Sequence, residues 1–491
     1  MSRISIDDLE KYLWGSAELL RTNIDAGAYK QYIFPLLFLK RMSDIYDEET
    51  EKAIAEYGED ALEWDETHIF DIPQGAHWED VRNKSQNIGK ALVEAFRKIE
   101  KANPDKLQGI FGDAAWTNKD RLPDRLLKDL MEHFSSQTLS LENCPEDELG
   151  QGYEYLVKKF ADDSGHTAQE FYTNRTVVRL MTEILKPRSE ESIYDPTCGS
   201  AGMLISCIQY LKDHNQEWRN VAAYGQEINN LTSAIGRMNL FLHGVNDFQI
   251  ANGDTLKNPS FIEHGKLKTF DIVLANPPYS ISQWDRAAFE TDKYGRNFLG
   301  TPSQGMADFA FLQHILKSMD PVNGRCAVLL PRGILSRYSE IEMRKKLVEL
   351  DLVDCIIGVG KGLFYNSPME ACVLIGRCVK PPERRGKIQI INAGEMIYRQ
   401  GTQSYIAEDD IEKIAQTYRE YRDVEGFCKI IDKETILKQE GSLSVSLYVK
   451  NSLSEVLIES FNSSTEECVK RWKAYSDAFH EKYEELKGLM K

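Results

Sequence analysis

The sequence lacks a long apolar segment. Its longest apolar run in the N-terminal region, residues 32–39, covers eight residues and contains Pro35, whereas a membrane-crossing helix needs about 20 apolar residues. The opening stretch, MSRISIDDLEKYLWGS, carries Asp7, Asp8 and Glu10 where a signal peptide requires an apolar core. These absences predict a cytoplasmic protein that does not engage a membrane.

Cysteine is sparse and unpatterned. The chain has nine cysteines and no C-x-x-C pair, the spacing from which structural zinc sites and redox pairs are usually recognised. His166 and His314 have no second ligand at metal-binding spacing and are interpreted as structural. The sequence therefore predicts reduced, mostly buried cysteines and no metal site.

Excess positive charge is also missing, because 77 acidic residues outnumber 60 basic ones and give a net charge of −17. Such a chain is not expected to hold DNA strongly by itself, since neutralisation of phosphates by Lys and Arg supplies most non-specific affinity. Two short basic runs, residues 344–346 and 384–385, are interpreted as solvated surface rather than DNA contacts. A nucleic-acid substrate would need a partner to deliver it.

The residues that are present indicate three regions in this chain of 491. Residues 1–150 show helical spacing of leucines and no alternating strand pattern, which predicts a helical domain. Residues 151–430 alternate short apolar strands with helices, which predicts a Rossmann-like, mainly parallel doubly wound sheet. Residues 431–491 are polar and predict a helical tail. The expected fold class is α/β with helical regions at both ends.

The tail ends in an apolar seam at steps of three and four residues, formed by Trp472, Tyr475, Phe479, Tyr483, Leu486 and Met490. This spacing predicts one continuous apolar face on a helix. The seam either packs on its own domain or docks on a partner, and the spacing favours neither reading.

Three strand ends carry polar residues suited to a ligand. The first leads into DPTCGSAGML, where Gly199 and Gly202 allow a close backbone approach. The spacing is not G-x-G-x-x-G, and G-x-x-x-x-G-K-[ST] is absent, which excludes a phosphate-cradling loop. Asp195, Glu227 and Asp254 would line one sheet edge. This acidic set fits a ligand with a ribose, an adenine amine and a cationic centre but no phosphate, which describes S-adenosylmethionine.

The next strand ends abruptly in FDIVLANPPYS, residues 270–280. Proline cannot continue the strand, and so Asn276 is held at a sharp exit from the sheet. The Asn276 side-chain oxygen and the Pro277 carbonyl can both accept hydrogen bonds from one exocyclic amine, while Tyr279 can stack on the ring that carries it. Stacking is worth about 1–3 kcal/mol, enough to offset part of the cost of extruding a base from a duplex. We expect methyl transfer to a planar amine.

These motifs, in this order, resemble those of S-adenosylmethionine-dependent amino methyltransferases acting on DNA, and the chain over about residues 10–400 is similar to the modification subunit of type I restriction-modification systems. Further stretches carry the resemblance: LWGSAELLRTNIDAGAYKQYIFPLLFLKRMSD, GHTAQEFYTNRTVVRLMTEIL, GMADFAFLQHIL, LLPRGILSR and GLFYNSP. The family implies N6 methylation of a flipped-out adenine. It also implies double-stranded DNA and a specificity subunit as partners, with two modification subunits per specificity subunit and optional recruitment of a restriction subunit.

The resemblance assigns residues to two roles. Catalysis falls to Asn276, Pro277 and Tyr279. Cofactor binding falls to Gln169, Glu170, Phe171, Tyr172, Thr173, Asp195, Thr197, Gly199, Ser200, Gly202, Glu227, Asp254 and Asn276. Asn174 stands where the family commonly has proline. Two alternatives stay open: an amino methyltransferase acting on a protein glutamine or an RNA base, and a non-catalytic assembly subunit that keeps the fold.

Overall fold

The computed structural model describes residues 3–64, 67–163, 173–363, 369–401, 403–450, 472, 473 and 476. The described N-terminal part is helical, as the sequence predicts. Its α-helices are α1 (Ile6–Leu20), α2 (Lys30–Tyr57), α3 (Trp78–Arg82), α4 (Ile88–Ala102), α5 (Pro104–Leu107), α6 (Asp124–Ser135) and α7 (Glu146–Asp163). The first begins where the Ser5 side chain accepts a hydrogen bond from the Asp8 amide at 3.2 Å, which caps an otherwise unpaired N–H.

The last of these helices joins the helical core to the rest of the chain. The apolar face of α7, with Leu149, Tyr153 and Phe160, is buried in the same core as α2. That core continues onto α10 (Asn230–Leu242), which contributes Ile235 and Met238. The division expected at residue 150 falls within α7, and these shared contacts tie the helical region firmly to the sheet.

A mixed sheet forms the centre of the second region. Its strands are β1 (Ser192–Asp195), β2 (Ala222–Glu227), β3 (Phe248–Asn252), β6 (Ile272–Ala275), β7 (Arg325–Pro331), β8 (Val353–Lys361), β9 (Glu370–Arg377), β10 (Lys387–Ala393) and β13 (Cys428–Asp432). They lie in the order β13-β10-β8-β9-β7-β6-β1-β2-β3. The run from β7 to β3 is parallel throughout, and β9 enters antiparallel between β7 and β8. The doubly wound fold is therefore confirmed.

Helices cover both faces of this sheet, and the described residues also form two short antiparallel strand pairs. The remaining helices are α8 (Arg175–Leu185), α9 (Gly202–Asp213), α11 (Arg286–Glu290), α12 (Asp308–Lys317), α13 (Ile341–Glu349), α14 (Glu408–Glu420), α15 (Lys433–Lys438) and α16 (Val445–Tyr448). The short strands are β4 (Ile262–Glu263) and β5 (Lys266–Leu267), and β11 (Tyr398–Gln400) and β12 (Gln403–Tyr405).

Strand order reverses at the β1–β6 boundary, which places the ligand-binding crevice of such sheets outside the carboxyl ends of these two strands. Asp195 is the last residue of β1, and Asn276 directly follows β6. The paired positions Ile193 with Ile272 and Tyr194 with Val273 keep the two strand ends level. The fold thus gathers the polar strand ends at one edge.

The interpretation of the basic runs as solvated surface is wrong for two of their arginines. Arg344 and Arg384 are only 2% and 7% exposed. The Arg344 guanidinium donates to the carbonyls of Gly441 and Arg337, each at 3.0 Å. Both arginines therefore hold the fold together rather than face solvent.

The expectation of reduced, mostly buried cysteines agrees with the described residues. Seven of the eight described cysteines are buried and all eight are free. Among the described residues, no group of His, Cys, Asp and Glu side chains could hold a metal ion, and no helix is long and apolar enough to cross a membrane. Trp472 is exposed, while the rest of the apolar seam and His166 lie outside the described residues.

Candidate active site

The glycine turn, residues 196–202 between β1 and α9, is built around a buried carboxylate. Asp195 is 2% exposed, and its side chain accepts a hydrogen bond from the Thr197 amide at 2.9 Å. Burial, reinforced by the charge of Glu227, raises the pKa of Asp195 to about 7. Gly199 has a φ of 53°, a left-handed conformation that glycine adopts without steric cost. The turn is therefore tight, and its acid is held in a low-dielectric setting.

Glu227, at the end of β2, holds the same turn from the other side. Its carboxylate accepts hydrogen bonds from the Gly199 amide at 3.1 Å and from the Asn229 amide at 2.8 Å. The sequence places this acid in the set expected to hold a ligand with a ribose. In the structure its carboxylate links the turn after β1 to the start of α10.

Asp254 follows β3 and borders an open cleft of about 530 Å³. It closes its own turn by accepting hydrogen bonds from the Leu256 and Lys257 amides at 2.9 and 3.1 Å. The opposite wall is the segment after the Asn-Pro-Pro-Tyr turn, including Trp284. The cleft therefore lies between Asp254 and the segment that follows the candidate catalytic turn.

The donor and acceptor set at this edge fits S-adenosylmethionine. Asp195 and Glu227 end β1 and β2, and Asp254 follows the adjacent parallel strand β3. Carboxylates accept hydrogen bonds from hydroxyl and amine groups, and they favour a positive charge nearby. A Cβ at Gly225 would lie 2.6 Å from Ile250 and 2.8 Å from the Cys198 sulfur. Gly225 thus leaves room for Ile250 and for Cys198 of the turn after β1 to pack against β2.

Asn276 is held in a defined orientation. Its Nδ2 donates to the Thr173 hydroxyl at 3.0 Å, and its Oδ1 accepts a hydrogen bond from the Tyr279 hydroxyl. Burial raises the pKa of Tyr279 well above its usual range, so the phenol remains a donor. The amide oxygen consequently faces the aromatic ring of the turn.

A buried charge network holds the far end of this turn. Ser280 has a φ of 50°, and its amide donates to Asp308 at 3.0 Å. Asp308 is 1% exposed, and its second oxygen pairs with Arg337 at 2.5 Å. Arg337 also contacts Glu340 at 3.4 Å, and burial raises the pKa of that acid to about 7.

Sequence reasoning missed this network because Asp308 and Arg337 are separated from the motif by tens of residues, and no local pattern links them. Their one visible signal was that both fall in stretches that carry the family resemblance. His314, by contrast, is buried between Tyr194 at 3.1 Å and Arg296 at 3.5 Å. It is structural, as expected.

The positions before α8 are described in part. Gln169, Glu170, Phe171 and Tyr172 lie outside the described residues. Thr173 contacts Asn276, and so it meets the catalytic turn. Asn174 caps α8 by accepting from the Thr176 amide at 3.1 Å, and it donates to the Ser404 carbonyl at 2.8 Å. These bonds fix the backbone where the family commonly has proline.

Comparison with known proteins finds two family models along the chain. The model described as N-6 DNA Methylase matches residues 145–455, and that of the HsdM N-terminal domain matches residues 9–134. Among curated proteins, the type I restriction enzyme MjaVIII methylase subunit of Methanocaldococcus jannaschii is 31% identical, covering 91% of this chain and 79% of that protein. The HindI methylase subunit of Haemophilus influenzae is 32% identical, with 76% and 85% covered.

Among solved structures, the type I restriction-modification system methyltransferase subunit from Streptococcus thermophilus superposes with a TM-score of 0.79. It shares 28% sequence identity, and the match covers 91% of this chain and 100% of that one. The similarity therefore extends over the helical region and the sheet together.

Proposed function

The chain belongs to the N-6 DNA methylase family of type I modification subunits, and from this premise we propose that Asn276, Pro277 and Tyr279 hold the target base while the acidic strand ends hold the cofactor. The protein is an S-adenosylmethionine-dependent, adenine-specific DNA methyltransferase. The observation that supports the residue assignment is the Asn276 side chain, fixed at the switch point of the sheet beside an aromatic ring.

S-adenosylmethionine supplies an electrophilic methyl group when bound. The Asn276 Oδ1 and the Pro277 carbonyl accept hydrogen bonds from the N6 amine of an extruded adenine, which makes the nitrogen lone pair more available. Asn276 and Pro277 would thereby direct the N6 lone pair toward that methyl group, and the proton that N6 loses on methylation would pass to solvent. Tyr279 stacks on the adenine ring and holds it in place.

Thr173 holds the Asn276 amide from the side away from Tyr279. The Asn276 Nδ2 donates to the Thr173 hydroxyl, and Oδ1 lies toward the Tyr279 hydroxyl. A flipped amide would instead present a donor to the donor amine and repel it. This bond supports a positioning role for Thr173 on the amide, beside the cofactor contact that the resemblance implies.

An acidic chain needs a partner to hold DNA, and other type I subunits could fill that role. The family relationship places the chain with DNA and with other subunits of the complex. We propose that a specificity subunit reads the DNA sequence, that two copies of this chain bind it, and that residues 431–491 provide the docking segment. The net charge of −17 supports delivery of DNA by a partner.

The test is methyl transfer from labelled S-adenosylmethionine to DNA, by the chain alone and together with its specificity subunit, followed by nucleoside analysis. We expect label in N6-methyladenine when the partner is present and little with the chain alone. Equal labelling by the chain alone would contradict the delivery role of the partner. Label in a protein glutamine or in RNA would contradict the assignment of DNA adenine as the substrate.

Tyr279 offers a test of base stacking. Replacing Tyr279 with Ala is expected to raise the KM for DNA by about 5–100-fold, because stacking is worth about 1–3 kcal/mol per base. Tyr279→Phe keeps the ring and removes only the hydroxyl that contacts Asn276, so its KM is expected to stay within about threefold of the parent. Steady-state kinetics with a duplex carrying one target site measures both. Equally severe defects in the two variants would mean that stacking is not the role of the ring.

The raised pKa of Asp195 is expected to make the free energy of unfolding of the cofactor-free protein depend on pH. An unfolded aspartate has a pKa of about 3.9, whereas burial raises the pKa of Asp195 to about 7 in the fold. Between these values the folded chain binds more protons than the unfolded chain, so the free energy of unfolding falls as pH rises from 4 to 7. Asp195→Asn stays neutral, and its stability is expected to exceed that of the parent increasingly from pH 5 to 8.

Urea unfolding of both proteins at pH 5, 6, 7 and 8 measures this difference, which is expected to grow by about 2–3 kcal/mol. Comparing the two proteins cancels groups that titrate in both, among them Glu340, whose pKa burial also raises to about 7. A difference that is constant with pH would show that Asp195 is charged throughout. Saturating S-adenosylmethionine is expected to shrink the difference, because its cationic centre favours the carboxylate.

A further inference from the structure

Gly202, the first residue of α9, is buried against an arginine. An ideal Cβ built on Gly202 would lie 1.7 Å from Nη1 of Arg175 and 2.4 Å from its Cζ. Atoms cannot approach this closely, so any side chain here displaces the guanidinium. The sequence suggested that Gly202 makes room for the cofactor. In the structure, the missing side chain makes room for Arg175.

Arg175 is itself held from two sides. It is the first residue of α8, whose start is fixed by the Asn174 cap. Its guanidinium pairs with Glu154 on α7 of the helical core. Glu154 in turn accepts a hydrogen bond from Asn239 at 2.6 Å, and Asn239 donates to the Ser200 carbonyl at 2.9 Å. Glu154 thus reaches the glycine turn twice, through Arg175 to Gly202 and through Asn239 to Ser200.

We propose that Arg175 is a positioning residue for the cofactor, acting through Gly202, and that Glu154 carries this support from the helical domain to the glycine turn. The inference rests on the proposed cofactor role of that turn. Arg175 and Glu154 are 29% and 18% exposed, so the pair is partly shielded and sensitive to geometry. A planar guanidinium lying on a glycine fixes the turn in a way that lysine cannot reproduce.

The four proteins of a double-mutant cycle test this proposal: parent, Gly202→Ala, Arg175→Ala and the double variant. Gly202→Ala is expected to weaken S-adenosylmethionine binding by about tenfold, because the new methyl group pushes Arg175 away. In the Arg175→Ala background the same change is expected to cost less than about twofold, since the space is then free. Calorimetric titration of the cofactor gives each affinity.

If the two substitutions lowered cofactor affinity additively in the double variant, the proposal would be overturned. The Gly202→Ala methyl group would then act on the cofactor directly rather than through Arg175. Steady-state kinetics adds a readout that a general loss of folding would not move. We expect a raised KM for S-adenosylmethionine with kcat at saturation nearly unchanged. A lowered kcat with an unchanged KM would also overturn it.

Arg179→Ala is the matched control on the same helix. Arg179 pairs with Glu408 at the surface, where the two side chains are 52% and 62% exposed, and its loss is expected to leave cofactor affinity unchanged. Should Gly202→Ala fail to fold, Arg175→Lys provides the test, with a severalfold rise in KM expected and an unchanged KM contradicting the role. These results are separable from the base-binding assignment, because Asn276→Ala tests that assignment through transfer rather than cofactor affinity.

Discussion

Replacing Asn276 with Ala is expected to abolish methyl transfer while leaving cofactor binding nearly intact. The amide oxygen is the side-chain acceptor at the turn, and loss of one preorganised hydrogen-bonding group in an active site typically costs about 10²–10³ in kcat. The side chain contacts Thr173 and Tyr279, and we propose that the Tyr279 side of the site receives the base. We therefore expect kcat to fall by at least about 10²-fold and the affinity for S-adenosylmethionine to change less than about threefold.

Single-turnover methylation of a duplex, with the specificity subunit present, measures the chemical step, and calorimetry measures cofactor affinity. Asn323→Ala is a suitable control, because Asn323 is an exposed residue in the turn before β7, at the opposite edge of the sheet from the site. A loss of cofactor affinity as large as the loss of transfer would place Asn276 on the cofactor and contradict its assignment to the base. Retained transfer would remove it from catalysis.

Removing the charge of Asp354 is expected to produce the largest loss of stability. This carboxylate is fully buried at the start of β8. One of its oxygens meets Arg384 at 3.0 Å and Arg377 at 3.2 Å. It also accepts a hydrogen bond from the Tyr418 hydroxyl at 2.6 Å. Breaking a buried ion pair by deleting one partner typically costs about 3–5 kcal/mol, because an uncompensated charge remains inside.

Asp354→Asn is therefore expected to lower the free energy of unfolding by about 3–5 kcal/mol. Arg384 cannot easily reach solvent, since its guanidinium lies 4.5 Å from the Tyr418 ring centroid and 4.1 Å from that of Tyr421. Urea unfolding followed by circular dichroism measures the loss, and activity per folded molecule should be retained. Glu383→Gln, an exposed neighbour of Arg384, is the control.

The double variant Asp354→Leu with Arg384→Leu sharpens this test. Removing both charges leaves only Arg377, whose side chain is 27% exposed, without its carboxylate partner. The double variant is therefore expected to be more stable than Asp354→Leu alone. If the double variant were less stable by the sum of the two single losses, the pair would act independently, and the desolvation argument would be wrong.

Much of the fold could be predicted from local pattern. The strands SIYD, FQIAN and RCAVLLP coincide with β1, β3 and β7, because each is a short apolar run bounded by polar or glycine residues. The order of the strands in the sheet was harder to predict from the sequence. The stretches that form β7, β8 and β9 all have apolar centres, and nothing in them indicates that β9 inserts antiparallel between the other two.

The site divides in the same way. Residues at strand ends, such as Asp195 and Asn276, could be placed from sequence, because parallel strands bring their carboxyl ends to one edge. Contacts between distant segments could not. The Asn276–Thr173 bond spans 103 residues, and Gly202 meets Arg175 across two helices. The basic runs were misjudged for a related reason, since charge alone does not reveal that a fold has buried Arg344 and Arg384 with partners.

The bond between Tyr279 and Asn276 bears on discrimination among bases. Before any base enters, the amide oxygen already accepts one hydrogen bond from the phenol. An amide oxygen can accept two, so a base that enters must offer a donor to the second lone pair. Adenine offers an N6 amine, whereas thymine and guanine would present the carbonyl oxygens O4 and O6. Two facing acceptors would leave a buried oxygen unpaired, the kind of mismatch that a hydrogen-bonding site rejects by several orders of magnitude. Cytosine also carries an amine, so its exclusion must depend on ring size and stacking rather than on this oxygen.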